Sequence, residues 1–252
     1  MTDEYKTNSL DPTTTTCNHD HRSFIIAELN DRKSYMARPP ATAEARELRT
    51  QQLLDAAVSL WQQHPERVPS VSEVAGMAGV AKGTVYLYFK SKEDLLLAAH
   101  ARHVQAFFSA LIERASQRKR MNFDDMMRLT RDHIASVSAF LPLATLVAGL
   151  RHKGVTPEVA EAFDQHIAEQ LLTAGGLLCH HFPLPDATSG VRLLMRSYAL
   201  ILGLWQLVGS DQPICTSPGV SAMLLPDYLS ELDAALRALW QGALNEGMPR
   251  HE

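Results

Sequence analysis

Residues 70–96 read SVSEVAGMAGVAKGTVYLYFKSKEDLL, a stretch with two helix starts and a glycine turn between them. The tetrapeptides that begin at Ser70 and Ser91 have the forms S-x-x-E and S-x-x-D of a capping box, in which side chains bond the free backbone N–H groups of a helix start. Gly79 follows the first start within two turns, and glycine adopts backbone conformations that a Cβ atom resists. The pattern predicts a short helix, a turn, a second short helix over about residues 82–88, and a long helix from Ser91.

Apolar residues upstream predict a further helix that would brace this pair. They recur at three- and four-residue steps from about residue 41, and the dipeptide His64-Pro65 would end the helix. Two short helices joined by a glycine-containing turn and packed on a third form a helix-turn-helix, whose second helix enters the major groove of DNA. The apolar face consists of Leu53, Leu54, Ala57, Leu60 and Trp61.

The second short helix carries groups suited to DNA. Val85 and Phe89 would point inward, whereas hydroxyl groups and an ammonium on the outer faces can bond phosphates or base edges. Residues 74–92 contain three lysines and no Asp or Glu, although residues 36–106 carry eight Lys or Arg against seven acids, so the basic patch is local. By spacing alone, the same helices could also form a corner that binds nothing. The outward residues are Lys82, Thr84, Tyr86 and Tyr88.

This stretch closely resembles the DNA-binding motif of the TetR/AcrR family of bacterial regulators, over about residues 47–107. The matching features are A-G-V from Ala78, K-G-T-V-Y from Lys82, Y-F from Tyr88 and S-K-E-D-L from Ser91. The resemblance implies an all-α protein, with an N-terminal three-helix helix-turn-helix DNA-binding domain followed by a larger helical-bundle dimerisation and ligand-binding domain. It implies DNA contacts by Ser70, Lys82, Gly83, Thr84, Tyr86, Tyr88 and Lys92.

One departure from the family pattern affects the second helix. Ala81 stands where the family often has Ser or Thr, so the helix would lack its N-cap, at a cost of about 1 kcal/mol of local stability. Trp61 replaces a common Phe, and Pro65 stands where Gly is frequent. None of these changes removes a group that would read DNA.

Three regions are predicted along the chain. Residues 1–40 are polar and without period, which predicts a disordered extension, although translation could also start at Met36. Residues 41–107 would form the DNA-binding domain, with its motif at 70–89. Residues 108–252 show apolar helical patterns and no strand alternation, so they would be helical. The resemblance implies that they form the ligand-binding and dimerisation domain.

The resemblance also implies how the C-terminal domain works. Helices over about residues 187–209 and 226–245 would pair across a two-fold axis, so that a homodimer reads a palindromic operator in double-stranded DNA. Residues 193–208 are apolar nearly all round, which predicts a place in the middle of the bundle. A pocket for a small apolar or amphipathic effector would lie among the preceding helices. Its candidate lining residues are Met126, Met127, His133, Leu146, Phe163, His166, Tyr198 and Trp205.

Composition narrows the location of the protein. The 252 residues carry a net charge of −4, and three cysteines without a C-x-x-C pair favour a reducing cytoplasm. The polar first residues do not form a signal peptide. The uncharged runs 134–150 and 197–210 are shorter than the about 20 apolar residues that span a bilayer, which favours buried helices without a membrane partner.

Motifs for other chemistry are missing from the sequence. It has no G-x-S-x-G, phosphate loop or H-E-x-x-H, so no enzyme and no cofactor are expected. The run Cys179-His180-His181 and the pair His100 and His103 are candidate metal ligands by residue type. Adjacent helical residues point about 100° apart and cannot all face one ion, so no metal is expected.

Two other functions stay open at this point. A DNA-binding protein could be controlled by a protein partner, and it would then expose an apolar patch on its C-terminal domain. A helical enzyme with an incidental helical corner would need a polar constellation in the bundle. The effector, the operator and the choice between repression and activation cannot be read from the residues.

Overall fold

The computed structural model describes residues 42–64, 67–150, 154–209 and 227–246, and every regular element in these ranges is helical. The all-α prediction is therefore confirmed for this part of the chain. The predicted extension 1–40, with Met36, lies outside the described residues. The α-helices are α1 Ala43–Gln63, α2 Val71–Met77, α3 Lys82–Val85, α4 Lys92–Ala115, α5 Phe123–Thr130, α6 Phe140–Leu150, α7 Pro157–Leu178, α8 Ala187–Leu204 and α9 Tyr228–Glu246, and π-helical turns at Arg131–Ala135 and Trp205–Gly209 extend α5 and α8.

Helices α1, α2 and α3 pack around one small core. The predicted apolar face of α1 is buried apart from the half-buried Leu60, and the helix ends at Gln63 as the dipeptide at residue 64 predicts. The His64 N–H donates to the Leu60 carbonyl at 3.0 Å, which closes the last turn. Val85 and Phe89 are buried against the same core, so α3 is held from its inner side.

Helix α4 is shared between this core and the larger bundle. Its first turns place Leu95 and Leu96 in the N-terminal core, whereas Phe108 and Leu111 lie in the bundle core. The helix passes the predicted division at residues 107 and 108 without a break. The helix therefore joins the two cores as one continuous element.

The bundle core lies between α4, α5, α6, α7, α8 and α9. A buried hydrogen bond joins the last two helices, since the Trp240 indole donates to the Ser197 hydroxyl at 3.0 Å. That hydroxyl in turn donates to the Leu193 carbonyl, which satisfies both buried polar groups.

Helix α8 corrects one prediction, because it does not lie in the middle of the bundle. Only 22% of an apolar 18-residue stretch of this helix is buried in the single chain, and Met195 and Leu207 are exposed. One face packs on α7 and α9, and the opposite apolar face lacks a partner among the described residues.

Two helices of the described part are long and apolar enough to cross a membrane, judged by length and composition only. They are Lys92–Ala115 and Ala187–Gly209. In the first, 56% of the apolar 18-residue stretch is buried. The second helix corrects the prediction that this part of the chain is too short to span a bilayer, which rested on the uncharged run 197–210. The helix begins ten residues before that run and is apolar enough despite Arg192 and Arg196. The other run, 134–150, is divided by a 72° bend between Phe123–Ala135 and Phe140–Leu150.

Helices α7 and α8 cross with their backbones in contact at two glycines. A Cβ atom built on Gly190 would lie 2.8 Å from the Gly175 Cα, and one built on Gly175 would lie 2.8 Å from the Val191 backbone nitrogen. Contacts this short with backbone cannot be relieved by a side-chain rotation, so both glycines permit the close crossing.

We expect Gly190→Ala to lower the free energy of unfolding by about 1–3 kcal/mol, because the added methyl group overpacks the crossing. Gly176→Ala is the matched control, since its Cβ would meet only the Ala187 Cβ at 4.0 Å. Urea denaturation followed by circular dichroism measures both. Equal stabilities of the two variants would contradict the backbone contact.

Candidate nucleic-acid interface and ligand site

The turn between α2 and α3 depends on Gly79. Its φ of 65° lies in the left-handed region, which confirms the conformation predicted for this glycine. The next residue, Val80, donates its N–H to the Ala75 carbonyl at 2.9 Å and fixes the end of α2. The direction of α3 relative to α2 is set by this pair of residues.

The start of α2 is held by a complete capping box. The Ser70 hydroxyl accepts from the Glu73 N–H at 3.3 Å, and the Glu73 carboxylate accepts from the Ser70 N–H at 2.9 Å. Arg67 binds both oxygens of this carboxylate, and these hydrogen bonds, with those from Ser70, lower the pKa of Glu73 to about 2. The Ser70 hydroxyl also donates to Glu73 at 2.8 Å, so a phosphate contact by Ser70 would have to replace that bond.

Helix α3 is a single turn with an uncapped start. Ala81 occupies the N-cap position with extended backbone and makes no side-chain hydrogen bond, as its residue type predicts. The α-helix ends at Val85, earlier than the predicted residue 88, because the next turn is tighter. The Leu87 and Tyr88 N–H groups reach back only three residues, to the carbonyls of Thr84 and Val85 at 3.1 and 3.0 Å. The Phe89 N–H closes this turn by donating to the Val85 carbonyl at 3.0 Å.

The outer surface of α3 presents most of the predicted DNA contacts. Lys82 and Gly83 are exposed, Tyr86 is 46% exposed, and Thr84 is half-buried. Leu87 was not predicted as a DNA contact, although it is 70% exposed and lies between Tyr86 and Tyr88. Its position between these two tyrosines is the sequence feature that could have identified it.

Two predicted phosphate contacts have neighbours within the protein. Tyr88 is half-buried, and the Arg46 guanidinium carbon lies 5.7 Å from the centre of its ring. The Lys92 ammonium is 3.9 Å from a Glu93 carboxylate oxygen at the start of α4. Tyr88 lies within the segment that joins α3 to α4, and Lys92 is the first residue of α4.

The predicted pocket residues do not surround one place. Met126, Met127 and Trp205 pack in the bundle core, whereas Leu146 packs against the N-terminal core. Phe163 lies in a third, smaller cluster between α4, α6 and α7. His133 is half-buried in the π-helical turn after α5, and His166 contacts Gln105 of α4.

One open cleft includes a predicted pocket residue. It has a volume of about 380 Å³ and lies between α5 and α9, with Met127 on its apolar wall. Its other walls are charged, and Arg237 there lies 3.4 Å from both Asp124 and Asp233. Such walls do not suit an apolar effector. The remaining lining residues are Arg128 and Arg131.

The structure brings two of the predicted pocket residues, Phe163 and Tyr198, together around His100, which the sequence singled out only as half of a possible metal pair. His100 is 3% exposed, and its ring lies 5.3 Å from that of Phe140 and 6.3 Å from that of Phe163. The Tyr198 hydroxyl is 3.5 Å from its Nε2. His103, one turn along α4, lies 6.4 Å from Phe140. We call these five residues the His100 cluster.

Both histidines of the cluster are neutral at pH 7. Burial lowers the pKa of His100 to about 3, with a smaller contribution from His103. Burial and then the charge of Arg102 lower the pKa of His103 as well.

The second group of candidate metal ligands has a structural role. His181 is buried, and its Nδ1 accepts the Met121 N–H at 3.1 Å while its Nε2 bonds the Ala115 carbonyl at 2.7 Å. The Cys179 thiol donates to the Gly175 carbonyl at 3.3 Å. Among the described residues, no three His, Cys, Asp or Glu side chains form a group that could hold a metal ion.

We expect acidification from pH 7 to pH 5 to destabilise the protein through His100. The unfolded chain takes up a proton below its pKa of 6.5, whereas the folded chain does not until about pH 3. Stability is therefore complete above pH 6.5 and is lost as the pH falls, by about 2 kcal/mol at pH 5. Urea denaturation of wild type and His100→Leu at both pH values measures the difference. An equal loss of stability between pH 7 and pH 5 in wild type and His100→Leu would contradict the assignment of this loss to His100.

Two family models match the chain. The model for "Bacterial regulatory proteins, tetR family" matches residues 53–99, and the model for "Tetracyclin repressor-like, C-terminal domain" matches residues 101–247. Together they cover the helix-turn-helix and the helical bundle.

Two curated relatives match the N-terminal part. The fatty acid metabolism regulator protein of Bacillus subtilis is 40% identical over 62 residues, which are 25% of this chain and 32% of the relative. The transcriptional repressor LfrR of Mycolicibacterium smegmatis is 39% identical over 80 residues, 32% of this chain and 41% of the relative. The chain thus matches less than half the length of these curated relatives.

Solved structures share the fold. FadR from Bacillus subtilis in complex with stearoyl-CoA has a TM-score of 0.50 at 21% identity, covering 76% of this chain and 98% of that one. FadR from Bacillus halodurans has a TM-score of 0.51 at 20% identity, covering 86% and 100%. A TetR-family regulator from Mesorhizobium loti has a TM-score of 0.51 at 16% identity, covering 80% and 97%. Identities this low speak for the fold alone.

Proposed function

This chain belongs to the TetR family of bacterial regulatory proteins, and from that membership we propose that it is a homodimeric repressor released from a palindromic operator by a small apolar or amphipathic effector. It is a DNA-binding transcriptional regulator and not an enzyme, like the family and both curated relatives. The observation that carries the proposal is the exposed outer surface of α3, set on a buried inner face. We propose 41–107 as the DNA-binding domain and 108–252 as the effector-binding and dimerisation domain.

The proposed DNA contacts divide by role. The groups on α3 would enter the major groove, where hydrogen bonds to base edges specify sequence. Tyr88, Lys92 and Ser70 would hold backbone phosphates, which position the protein. The groove-facing residues would be Lys82, Gly83, Thr84 and Tyr86.

Exposed apolar residues support the homodimer. Met195, Tyr198 and Leu207 on the α8 segment and Leu229 on α9 are exposed large hydrophobic residues. A second copy related by a two-fold axis would cover them with the same surface of its own. Such a dimer would also bury the apolar face of α8 without a membrane, which fits a regulator in the cytoplasm.

A route from the bundle to DNA supports release by an effector. Asp94, buried in the first turn of α4, accepts the Thr156 N–H at the start of α7 at 3.0 Å. The Ser91 hydroxyl donates to the Gly154 carbonyl at 3.2 Å. An effector that moves α7 would therefore pull the start of α4 and change the spacing of the two α3 helices. Stearoyl-CoA in the FadR complex is a precedent for an amphipathic ligand.

We expect Tyr86→Ala to weaken operator binding by roughly tenfold or more, because the ring is exposed on α3 and its loss removes a groove contact. Gel-shift titration with DNA upstream of the protein's own gene measures the affinity, and size-exclusion chromatography checks the dimer. Leu172→Ala, on an exposed position of α7, is the control. Wild-type affinity of the Tyr86 variant would rule out α3 as the recognition helix.

We expect operator DNA to slow amide hydrogen exchange at the start of α7 in the wild type and not in Asp94→Ala. If an effector acts on α3 through the Asp94–Thr156 hydrogen bond, then DNA bound at α3 acts on that bond in return, because coupling between two binding sites is reciprocal. Asp94→Asn retains an acceptor oxygen and should keep most of the effect. The same response in the Asp94→Ala variant would show that coupling takes another route.

A further inference from the structure

His100 is a buried group with an unused hydrogen-bonding atom. Its Nδ1 is buried and has no hydrogen-bond partner in the described part of the chain. Its Nε2 is 3.5 Å from the Tyr198 hydroxyl, at the outer limit of a hydrogen bond. Buried polar groups almost always have a partner, so this exception calls for a physical explanation.

His181 shows how the same protein treats a histidine that only supports the fold. It is also buried, yet both of its ring nitrogens bond backbone groups, at 3.1 and 2.7 Å. A purely structural histidine at position 100 would be expected to have the same two partners. Its free Nδ1 therefore calls for a partner that the described residues do not supply.

A second unpartnered nitrogen lies beside the first. The His103 Nε2 is buried one turn further along α4 and also lacks a partner among the described residues. Both imidazoles pack against the Phe140 ring, at 5.3 and 6.4 Å. The cluster is formed by side chains from α4, α6, α7 and α8, so it lies where four helices of the bundle converge.

The surroundings define the chemistry of the missing group. Aromatic rings of Phe140 and Phe163 flank His100, and both histidines remain uncharged at neutral pH because of their burial. A carboxylate or ammonium placed here would lose its hydration without gaining a full counter-charge, which is costly. A hydroxyl or carbonyl group can accept or donate the missing hydrogen bond at little desolvation cost, while an apolar body packs on the rings.

We propose that the His100 cluster is the effector site, and that it takes a compact apolar molecule with one neutral hydrogen-bonding group. The proposal rests on the proposed function and specifies its ligand class. The cluster includes side chains of α4 and α7, the two helices that the Asp94–Thr156 hydrogen bond joins. A molecule bound in the cluster would therefore act directly on the contacts that lead to α3. Tyr198 touches His100 and is 36% exposed, which places its ring between the site and the surface of the single chain.

Four probes with the same ring test the ligand class on the full chain: toluene, benzyl alcohol, benzoate and benzylammonium. We expect benzyl alcohol to bind most tightly relative to its partition from water and to shift the ¹⁵N ring signals of His100. In His100→Leu its affinity should fall about tenfold, the ratio expected for one hydrogen bond to a buried group, while toluene is unaffected. His180→Leu, at an exposed histidine, is the control and should bind all four probes as wild type does.

His100→Gln keeps a neutral hydrogen-bonding side chain and should retain the preference for benzyl alcohol, which provides a second variant if the leucine variant does not fold. Tighter binding of benzoate or benzylammonium, unchanged affinity in His100→Leu, or no shift of the His100 signals with any probe would overturn the proposal.

Operator binding is measured separately by gel shift without probes. Failure of the wild-type protein to bind operator DNA would overturn the proposed function, whereas a shift of the His100 signals with a probe would still support the His100 cluster as a ligand site.

Discussion

The packing of α4 in two cores is the constraint on which the rest of the structure depends. Leu95 and Leu96 bury against α1, α2 and the turn after α3, while Phe108 and Leu111 bury among the bundle helices. A helix of 24 residues cannot kink sharply in the middle without disturbing its backbone hydrogen bonds. The angle between the recognition element and the bundle is therefore held near the start of α4, where Ser91 and Asp94 bond the segment before α7 and Leu143 of α6 packs in the N-terminal core. Under the proposed function, an effector would act on these contacts.

Polar groups in the bundle serve two distinct purposes. His181, Ser197 and Trp240 are buried with their hydrogen bonds satisfied, and they hold loops and helices in register. His100 and the half-buried His103 each have one buried ring nitrogen without a hydrogen-bond partner among the described residues. Unsatisfied groups of the second kind reduce stability, and a bound molecule that satisfies them recovers that stability in the liganded state. A sensor needs such a difference between its free and bound states.

The local parts of this fold were readable from the sequence, and the long-range parts were not. Both serine caps, the left-handed Gly79 and the uncapped Ala81 depend on contacts within four residues, so their residue types were sufficient. The residues of the proposed effector site depend on which faces of α4, α6, α7 and α8 meet. Of the eight residues predicted to line a pocket, Phe163 and Tyr198 lie beside His100, and the others lie elsewhere. Helix α8 was expected inside the bundle because uniform apolarity does not distinguish a core helix from one that faces a second copy.

The glycine crossing of α7 and α8 also has a mechanical consequence. With Gly175 and Gly190 in backbone contact, the two helices cannot separate or slide at that point without steric clash or loss of packing, but they can rotate about it. In the proposed dimer the crossing would serve as a pivot, with the start of α7 on one side and the exposed face of α8 on the other. A tilt of α7 that begins at Thr156 would then reorient that face, so each subunit of a symmetric pair would register the state of the other through its geometry.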